Sequence, residues 1–578
     1  MVFSNKRIAS LVMGFVIFAV ALFSGVEVAK AEFLFPDVSK EYEYAKAIYS
    51  LVEEGIINGE TQSDGEILFR PYRIISRAEV VKLITIALIG EKEANLKISK
   101  EFPDVPKEHW ASKYVNYAVE TGIVNCYPDG TFKPEAEATY GEVVKMLVCA
   151  KDYAGRYKTT DPWYDGYIDI AYHAGITGNI IHPGNWGVSR ALTAQLIYNF
   201  KNVKPIPKLY LAGDVHNLPL TKEDRKISVW YESSELSFGS YAKIKLQGTS
   251  SMAYAKKNYT INFYKDSSFS EKLKVDVGWG KQSKYCLKAN WIDKTHARNV
   301  VTAKLVTQMQ KKYGVMETAP ENGAIDGFPV EVYINGDFQG LFTMNIPKDE
   351  WMFNMDKDNP DNIVVGGDDW GPETQFEAMP NLKMWEVEVG EENDYTLQKL
   401  NRLFDFVINS SDEEFKKNFG EYLSLDSTLN YYIMTDFAYL IDNLGKNMLL
   451  ATYDGKVWYP SLYDLDSSWG TNTAGDGLFG YEENAMGFWH NNLFERLEKC
   501  FPHELATRYF ELRKDILTKN NILFKFNAFA NLVPEETYRK ELNKWGPNLP
   551  GYGISQIESY LDVIVPRLDA KYADFKIR

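Results

Sequence analysis

Internal repetition near the N-terminus is the feature that most restricts how this 578-residue chain folds. A unit that starts with the tetrapeptide Phe-Pro-Asp-Val at residue 35 recurs at residue 102, and a weaker copy starts at Trp163. Each copy has the pattern of a helix, a Gly-Ile turn, a polar loop and a second helix with apolar positions at helical spacing. The repetition predicts an all-α domain over residues 32–200, with copies at about 33–90, 100–150 and 160–200.

The periodicity of apolar residues changes after a short linker at residues 201–208, which contains two prolines and three lysines. From residue 209 to about 395, several segments alternate apolar and polar residues as half-buried strands do, and the chain beyond them is helical in pattern. Strands followed by helices predict an α+β domain with two lobes over residues 209–578.

The first 31 residues have the layout of a secretory signal peptide. Lys6 and Arg7 precede the apolar run 8–26, and an Ala-Lys-Ala motif at 29–31 offers a cleavage site. The apolar run is shorter than the ~20 residues that a membrane span usually needs, so we expect cleavage. A buried helix and an uncleaved anchor are the alternatives. The mature protein is expected outside the cytoplasm, without a membrane span.

Charge and cysteine content disfavour two kinds of function. The net charge of −15 argues against nucleic acid as a partner, because nucleic acid requires a basic surface. The four cysteines are far apart and show no Cys-x-x-Cys spacing, so neither a disulfide scaffold nor a zinc site is expected. A single bridge between Cys126 and Cys149 stays open.

A short motif before the second helix of each repeat suggests what the repeats bind. The first copy reads Ser-Arg-Ala-Glu from residue 76, the second Thr-Tyr-Gly-Glu from 139, and the third Ser-Arg-Ala-Leu from 189. The repeats resemble the S-layer homology family, in which this segment helps bind a pyruvylated secondary cell-wall polysaccharide. An arginine fork can grip a carboxylate-bearing sugar, so the resemblance implies Arg77 and Arg190 as polymer ligands. The alternative is that each arginine only caps or pairs locally.

A turn between two predicted strands is suited to an anion. The segment starting at Gln247 reads QGTSSMAYAKKNY. Small residues let backbone N–H groups approach an anion, and a nearby lysine neutralises it. Lys257 shares strand parity with apolar residues, which is an unusual place for a lysine without a partner. The alternative is a solvated hairpin with a lysine at its edge.

Four polar side chains in a later segment have the oxygen chemistry of a metal site. Asp442 follows a predicted helix, Asn447 comes five residues later, and Asp464 and Asp466 follow a strand-turn-strand. Carboxylate and amide oxygens are the ligands that Mg²⁺ or Mn²⁺ prefers when it also binds phosphates. The Asp-x-x-x-x-Asn spacing equals that of the protein-kinase catalytic loop. The alternative is a helix-end aspartate and a solvated turn.

From about residue 209 to 575 the chain resembles the CotH kinase family. The matching segments, in the expected order, are QGTSSMAYAKKNY, WIDKTHARN, VEVYINGDFQGLF, DNLGKNMLL and YDLDSSWG. The resemblance implies an atypical protein kinase that transfers phosphate from ATP to secreted or surface proteins.

The same resemblance implies a role for each motif residue. Asp442 would be the aspartate of the catalytic loop, and Mg²⁺ or Mn²⁺ would be held by Asn447, Asp464 and Asp466. The residues implied in ATP binding are Gly248, Ser250, Ser251, Lys256, Lys257 and Arg298.

Two residues depart from the family pattern. Gln247 stands where members usually have arginine, and Asn345 where they often have glutamate. Because either change could weaken nucleotide binding, the alternative function is a pseudo-kinase that acts as a surface binding or assembly module. A carbohydrate-active enzyme is less favoured, because Asp464 and Asp466 are two residues apart and do not flank a bond from opposite sides.

Overall fold

The structure is a computed structural model. It describes residues 35–151, 160–177, 180, 182–202, 206–233, 236–248, 250–472, 474–477, 485–487, 490–530, 532–546 and 553–577. The predicted signal segment at residues 1–31 lies outside these ranges. Among the described residues, no helix combines the length and apolar character needed to cross a membrane.

Three pairs of helices build the N-terminal region. They are α1 (Ala45–Glu53) with α2 (Arg77–Ile89), α3 (Ser112–Glu120) with α4 (Tyr140–Ala150), and α5 (Trp163–His173) with α6 (Arg190–Lys201). Each second helix starts at a side-chain cap: Ser76, Thr139 and Ser189 each accept a hydrogen bond from a backbone N–H three residues later. Such caps satisfy a donor that the first helical turn leaves unpaired.

The segments that lead into these second helices bond to one another in a closed ring. The bonds run from Arg77 N to Ala136 O, from Tyr140 N to Trp186 O and from Arg190 N to Arg73 O, at 2.9, 2.9 and 2.8 Å. Each copy therefore contacts the next, and the third copy closes the ring on the first. The weak third copy has the same structural place as the other two.

The N-terminal region is not all-α, so that prediction is wrong. Strands β1 (Glu60–Thr61) and β2 (Ile67–Leu68) pair antiparallel between α1 and α2. They are joined through Asp64-Gly65, and Gly65 has φ +89°, which glycine adopts without strain. An Asp-Gly pair favours a hairpin turn. The segments on both sides have helical periodicity, and for that reason the sequence was interpreted as all-α.

A closed barrel of seven strands follows. Its strands are β3 (Lys208–Ala212), β4 (Arg225–Glu232), β5 (Ser237–Leu246), β6 (Tyr259–Tyr264), β9 (Lys284–Lys288), β10 (Gly327–Ile334) and β11 (Asp337–Asn345). The short strands β7 (Val275–Asp276) and β8 (Lys281–Gln282) pair only with each other. The order around the barrel is β10-β11-β9-β6-β5-β4-β3, closed by a parallel pairing of β3 with β10. Alternate apolar residues such as Ile244, Ile261 and Leu287 fill its interior.

A four-stranded sheet and a group of helices complete the chain. The sheet has the order β13-β12-β14-β15, from β12 (Ile363–Gly367), β13 (Trp385–Val389), β14 (Met448–Thr452) and β15 (Trp458–Leu462). The helices are α7 (Arg298–Lys312), α8 (Asp394–Asn409), α9 (Asp412–Asn418), α10 (Leu425–Ala438), α11 (Asn492–Cys500), α12 (Pro502–Leu512), α13 (Lys519–Ala530), α14 (Glu535–Trp545) and α15 (Ile554–Phe575).

The predicted two-lobed α+β arrangement of strands first and helices later is also wrong, because helices and strands are interleaved. Helix α7 separates β9 from β10, and β14 and β15 come after α10. Strands β12 and β14 are buried along their whole length, so they lack the alternation of half-buried strands. Barrel closure pairs Lys208 with Glu331, a contact too distant in sequence for a local pattern to reveal.

Helix α13 joins the N-terminal repeats to the rest of the chain. Phe524 and Ala528 on this helix belong to the buried apolar core of the repeats. Phe526 points elsewhere and packs edge-on against Trp469, with ring centroids 5.8 Å apart. The same helix therefore contacts both the repeat core and the loop after β15.

Candidate functional site

Three aspartates lie where the chain leaves α10 and β15. Asp442 lies in the short 3-10 helix Ile441–Leu444, shortly after α10 ends. Asp464 and Asp466 follow β15, and Asp464 has φ +56°, a conformation uncommon for a residue with a side chain. Burial and the nearby Asp464 carboxylate raise the pKa of Asp442. The structure thus brings the two acidic segments together.

Two asparagines hold these segments in place. The Asn443 side chain is 1% exposed and donates a hydrogen bond of 2.9 Å to the carbonyl of Tyr463, directly before Asp464. Asn447 has φ +63°, and its backbone N–H donates to Gly367 O at 2.9 Å. The Asn447 side chain, which sequence analysis assigned to the metal, is half-buried at the start of β14.

Lys288 completes this cluster, and sequence analysis missed it. It is the last residue of β9, it is 6% exposed, and its Nζ lies 3.0 Å from Asp464 Oδ1. Burial lowers the pKa of Lys288, but the combined attraction of Asp464, Tyr463, Cys286 and Asp466 outweighs burial and raises that pKa above its usual value. The alternation of side chains along a strand could have identified it. Because Leu287 fills the barrel, Lys288 must point to the opposite face.

The three aspartates repel one another, and Lys288, Lys348 and Lys446 offset part of their charge. Burial and the Asp464 carboxylate raise the pKa of Asp466 to about 7, with smaller contributions from Asp293 and Asp442. Burial also acts to raise the pKa of Asp464, but Lys288, Lys348 and Lys446 together outweigh burial and lower that pKa. A cation beside Asp466 would relieve this repulsion.

The donor set fits a hard divalent cation in its chemistry. Asp464, Asp466 and Asn447 offer carboxylate and amide oxygens. In the described part of the chain, no three His, Cys, Asp or Glu side chains converge closely enough to hold an ion by themselves. Mg²⁺ is usually bound through one or two carboxylates, with water and substrate phosphates as the other ligands. The residues fit an ion that binds together with a polyphosphate.

The predicted anion-binding turn has a compact conformation. Gly248 has φ +87°, and a 3-10 turn spans Ser250–Ala253. Ser251 Oγ donates to Gln247 O at 3.1 Å. Lys257 Nζ donates to the carbonyl oxygens of Met252, at 2.6 Å, and Tyr254. Lys257 therefore stabilises the turn from within. The two carbonyl oxygens are the partners that its position among apolar residues led us to expect.

The turn lies next to the aspartates. Burial raises the pKa of Tyr254, and Asp466, Asp464 and Asp442 raise it further, so the phenol is within electrostatic range of all three. Tyr254 also stacks on Trp291, with ring centroids 6.4 Å apart and planes 26° apart. The two motifs, about 200 residues apart in sequence by their numbering, form one site.

Lys256 has a different environment from that expected of a phosphate ligand. Its Nζ donates to Ala289 O at 3.1 Å, to Leu341 O at 2.6 Å and to Glu541 Oε1 at 2.7 Å. The side chains of Lys256 and Glu541 are each 1% exposed. An ammonium group has three N–H donors, so all of them have partners inside the protein.

Arg298 is likewise enclosed. It is fully buried at the start of α7 and pairs with Asp293, whose other oxygen accepts from Arg298 N at 2.8 Å. Its Nε donates to Ser468 O at 3.2 Å, and an Nη donates to Gln556 Oε1 at 2.8 Å. Arg298 thereby supports the loop that carries Asp466. Its assignment to ATP stays a prediction.

The two residues that depart from the family pattern lie on either side of Cys286. Gln247 Nε2 is 3.3 Å from Cys286 Sγ and 3.2 Å from Tyr463 Oη. Asn345 is paired with Cys286 in the barrel and is 1% exposed, and neither amide atom of its side chain has a hydrogen-bond partner. Both side chains are neutral, so neither of them offers a formal charge to a nucleotide.

The arginines predicted to bind wall polymer join the repeats to each other. Arg77 is 4% exposed and pairs with Glu142 of the second copy at 2.7 Å. Arg190 of the third copy pairs with Glu60 of the first at 3.0 Å and also donates to Asn58 O. These contacts correspond to the local-pairing alternative. Their role in polymer binding stays a prediction.

A groove between the first two copies presents another arginine. Its cavity volume is about 370 Å³, and it is lined by Arg73, Ile74, Ser76, Glu79, Trp110, Glu135 and Glu137. Arg73 is 32% exposed but its guanidinium pairs with Glu79 and Glu60, and Trp110 is 48% exposed. The open face of Trp110 can stack on a sugar ring, and the carboxylate of an acidic sugar would have to replace Glu79 or Glu60 on the Arg73 fork. Sequence analysis missed Arg73 because it precedes the recognised motif by three residues.

Comparison with known proteins gives two family matches. The family model described as CotH kinase protein matches residues 244–564, and the model described as S-layer homology domain matches residues 34–81 and 101–144.

Several curated relatives match in the repeat region. The Surface-layer 125 kDa protein of Lysinibacillus sphaericus is 33% identical over 149 residues, which cover 24% of this chain and 12% of that protein. The Middle cell wall protein of Brevibacillus brevis is 30% identical over 152 residues, 26% of this chain and 14% of that protein. The Cellulosome-anchoring protein of Acetivibrio thermocellus is 30% identical over 115 residues, 20% of this chain and 25% of that protein. The chain thus spans a quarter or less of the length of these relatives.

Proposed function

The chain belongs to the CotH kinase protein family, and on this basis we propose that it transfers the γ-phosphate of ATP to a secreted or surface protein. The proposed phosphoacceptor is a hydroxyl group of that protein, as in other protein kinases. The S-layer homology repeats and the surface-layer relatives locate the protein at the cell surface. We propose that the repeats hold the kinase there by binding secondary cell-wall polysaccharide.

One observation carries the kinase proposal. A buried lysine, Lys288, contacts Asp464 at 3.0 Å, beside two further carboxylates, Asp466 and Asp442. Phosphoryl transfer depends mainly on positioning and on neutralising phosphate charge, so a fixed cation next to oxygen ligands is the arrangement it requires. A structural ion pair alone does not account for Asp466, whose carboxylate is repelled by its neighbours.

The proposed reaction assigns a separate task to each residue. The acceptor hydroxyl oxygen forms a bond to the γ-phosphorus while the bond from that phosphorus to the β–γ bridging oxygen breaks, and ADP leaves. Asp442 orients the hydroxyl and accepts its proton. Its raised pKa brings it closer to the range in which a general base works at neutral pH. Lys288 neutralises negative charge on the phosphates while Asp464 keeps it in position.

A divalent metal is part of this proposal. Asp464, Asp466 and Asn447 would hold Mg²⁺ or Mn²⁺. When bound, the ion would neutralise charge on the β- and γ-phosphates. Without it, the aspartate carboxylates that point at the phosphates would repel them.

A pseudo-kinase that only binds is the second candidate, and it rests on Gln247 and Asn345. The Gln247 amide is tied to Cys286 and Tyr463, and Asn345 is buried without a partner. Neither side chain supplies the charge found at these positions in most members of the family. Nucleotide could then bind weakly or not at all.

Thermal unfolding of the mature chain tests the kinase proposal. ATP with Mg²⁺ or Mn²⁺ should raise the melting temperature, and ATP with chelator should not. A ligand at ~100 times its dissociation constant adds about 2.7 kcal/mol to the stability. Asp466→Ala should abolish the shift. A wild-type protein that shows no shift with either metal would favour the pseudo-kinase.

A further inference from the structure

We propose that the buried Lys256–Glu541 ion pair is a clamp that positions the 247–258 turn over the aspartates. Helix α14, which carries Glu541, is then a required part of the nucleotide site although it does not line it. This inference rests on the proposed function, and it assigns Lys256 a positioning role in place of a direct contact with phosphate.

The first step concerns the burial of the pair. Both side chains are 1% exposed and lie 2.7 Å apart, and Glu541 Oε2 accepts a hydrogen bond of 2.7 Å from Leu341 N. Gly340 leaves the room for this arrangement: a Cβ there would lie 2.6 Å from Glu541 Oε2 and 2.9 Å from Lys256 Nζ. A buried ion pair needs such complete pairing, because each ion is costly to remove from water.

The second step concerns what the pair joins. Lys256 is near the C-terminal end of the turn, whereas Glu541 belongs to a helix almost three hundred residues later by numbering. Helix α14 also donates from Trp545 Nε1 to Gln339 O at 2.9 Å and from Lys544 Nζ to Phe338 O at 2.6 Å. The helix is thereby fixed along the start of β11, and Lys256 ties the turn to it.

The third step connects the clamp with the site. Trp545 on α14 contacts Trp291 edge-on, with ring centroids 5.8 Å apart, and Trp291 stacks on Tyr254. Tyr254 is two residues before Lys256 and lies within electrostatic range of the aspartates. The ion pair and the aromatic contacts thus join the same short segment to helix α14 at two points. Release of either contact would free the turn to leave the aspartates.

The test compares ATP binding, in the presence of Mn²⁺, for the full mature chain and three variants: Lys256→Met, Glu541→Gln and the two combined. Lys544→Met is the matched control, because it removes one bond between α14 and the barrel without touching the turn. If the turn is correctly placed only about a tenth of the time in the variants, the affinity falls about tenfold. The combined variant should bind no more weakly than either single variant, because both remove one interaction.

Two results would overturn the clamp. If Glu541→Gln binds ATP as the wild type does while Lys256→Met loses binding, Lys256 contacts phosphate directly. If the combined variant recovers wild-type binding, the pair is only a structural ion pair. Glu541→Gln retains an acceptor for Leu341 N, so it is the variant best suited to fold normally.

Hydrogen–deuterium exchange without nucleotide separates this inference from the proposed function. Glu541→Gln should exchange faster in residues 247–258, with no change in β4 and β5. An unchanged turn in this variant contradicts the clamp, whether or not the wild type binds ATP. A wild type that binds no ATP, together with a loosened turn in the variant, contradicts the proposed function and leaves the positioning role supported.

Discussion

Asp466→Asn should make the nucleotide-free protein more stable at neutral pH, although it removes a proposed metal ligand. Burial and the neighbouring Asp464 raise the pKa of Asp466 from its usual 3.8 to about 7. Between these two values the folded state holds a proton that the unfolded state has released. The stability of the wild type therefore falls as the pH rises through this interval. Asparagine carries no charge, so the stability of the variant does not fall over this pH interval.

The size of the effect follows from the pKa interval. An increase from 3.8 to about 7 corresponds to at most about 4 kcal/mol, at ~1.4 kcal/mol per pH unit. Coupling to Asp464 and partial exposure of the carboxylate to water reduce this figure. We expect the variant to exceed the wild type by about 1–3 kcal/mol above pH ~7, and to equal it near pH ~4.

Urea unfolding of the mature chain in chelator, at a series of pH values, measures this difference. Asp358→Asn is the control, because Asp358 is an exposed aspartate remote in sequence from the cluster. Its difference from the wild type should stay near zero throughout. The reasoning is refuted if Asp466→Asn is the less stable protein at neutral pH, or if its advantage does not change with pH. Sites that bind charged ligands often sacrifice stability in this way.

Three further predictions concern the other parts of the chain. Lys288→Met should lower kcat/KM for phosphate transfer about tenfold or more, because it removes a charge-assisted contact of about 1.5–3 kcal/mol, whereas Lys284→Met on the same strand should keep most activity. Arg73→Ala should reduce sedimentation with cell-wall sacculi and lower the melting temperature only slightly, because its ion pairs with Glu79 and Glu60 are partly exposed. Arg77→Ala should instead lower the melting temperature, since breaking a buried ion pair costs about 3–5 kcal/mol. Phe524→Ala should destabilise the repeats by about 3–5 kcal/mol, seen as a lower urea midpoint for that region; an unchanged midpoint would mean that α13 does not support them.

The sequence was sufficient to recognise the family and the location of the protein, and both are confirmed. The reason is that the order of the motifs and the length of the repeats can be read directly from the sequence. The architecture could not be predicted from the sequence so directly. Barrel closure depends on the pairing of Lys208 with Glu331, and strands β12 and β14 are buried throughout. Neither feature has a local periodic signal.

The candidate site was likewise only partly predictable from the sequence. Spacing placed Asp442, Asp464 and Asp466 in one region, since the motifs flank a single strand pair. The lysines are harder to assign, because a lysine's role depends on which strand or helix faces it. Lys256 faces Glu541 on a distant helix, while Lys288 faces Asp464. The roles of these residues in catalysis stay predictions.

Transfer of labelled phosphate from ATP by the purified chain tests the central claim most directly. The protein is incubated with γ-labelled ATP and Mg²⁺ or Mn²⁺, and label is measured on the protein itself and on co-incubated surface proteins. We expect metal-dependent labelling by the wild type. Asp442→Asn should lose transfer but keep ATP binding, because it removes an interaction needed mainly in the transition state, whereas Asp466→Ala should lose both. Equal labelling by the wild type, Asp442→Asn and Asp466→Ala would contradict the proposed site, and no labelling under either metal would contradict the kinase.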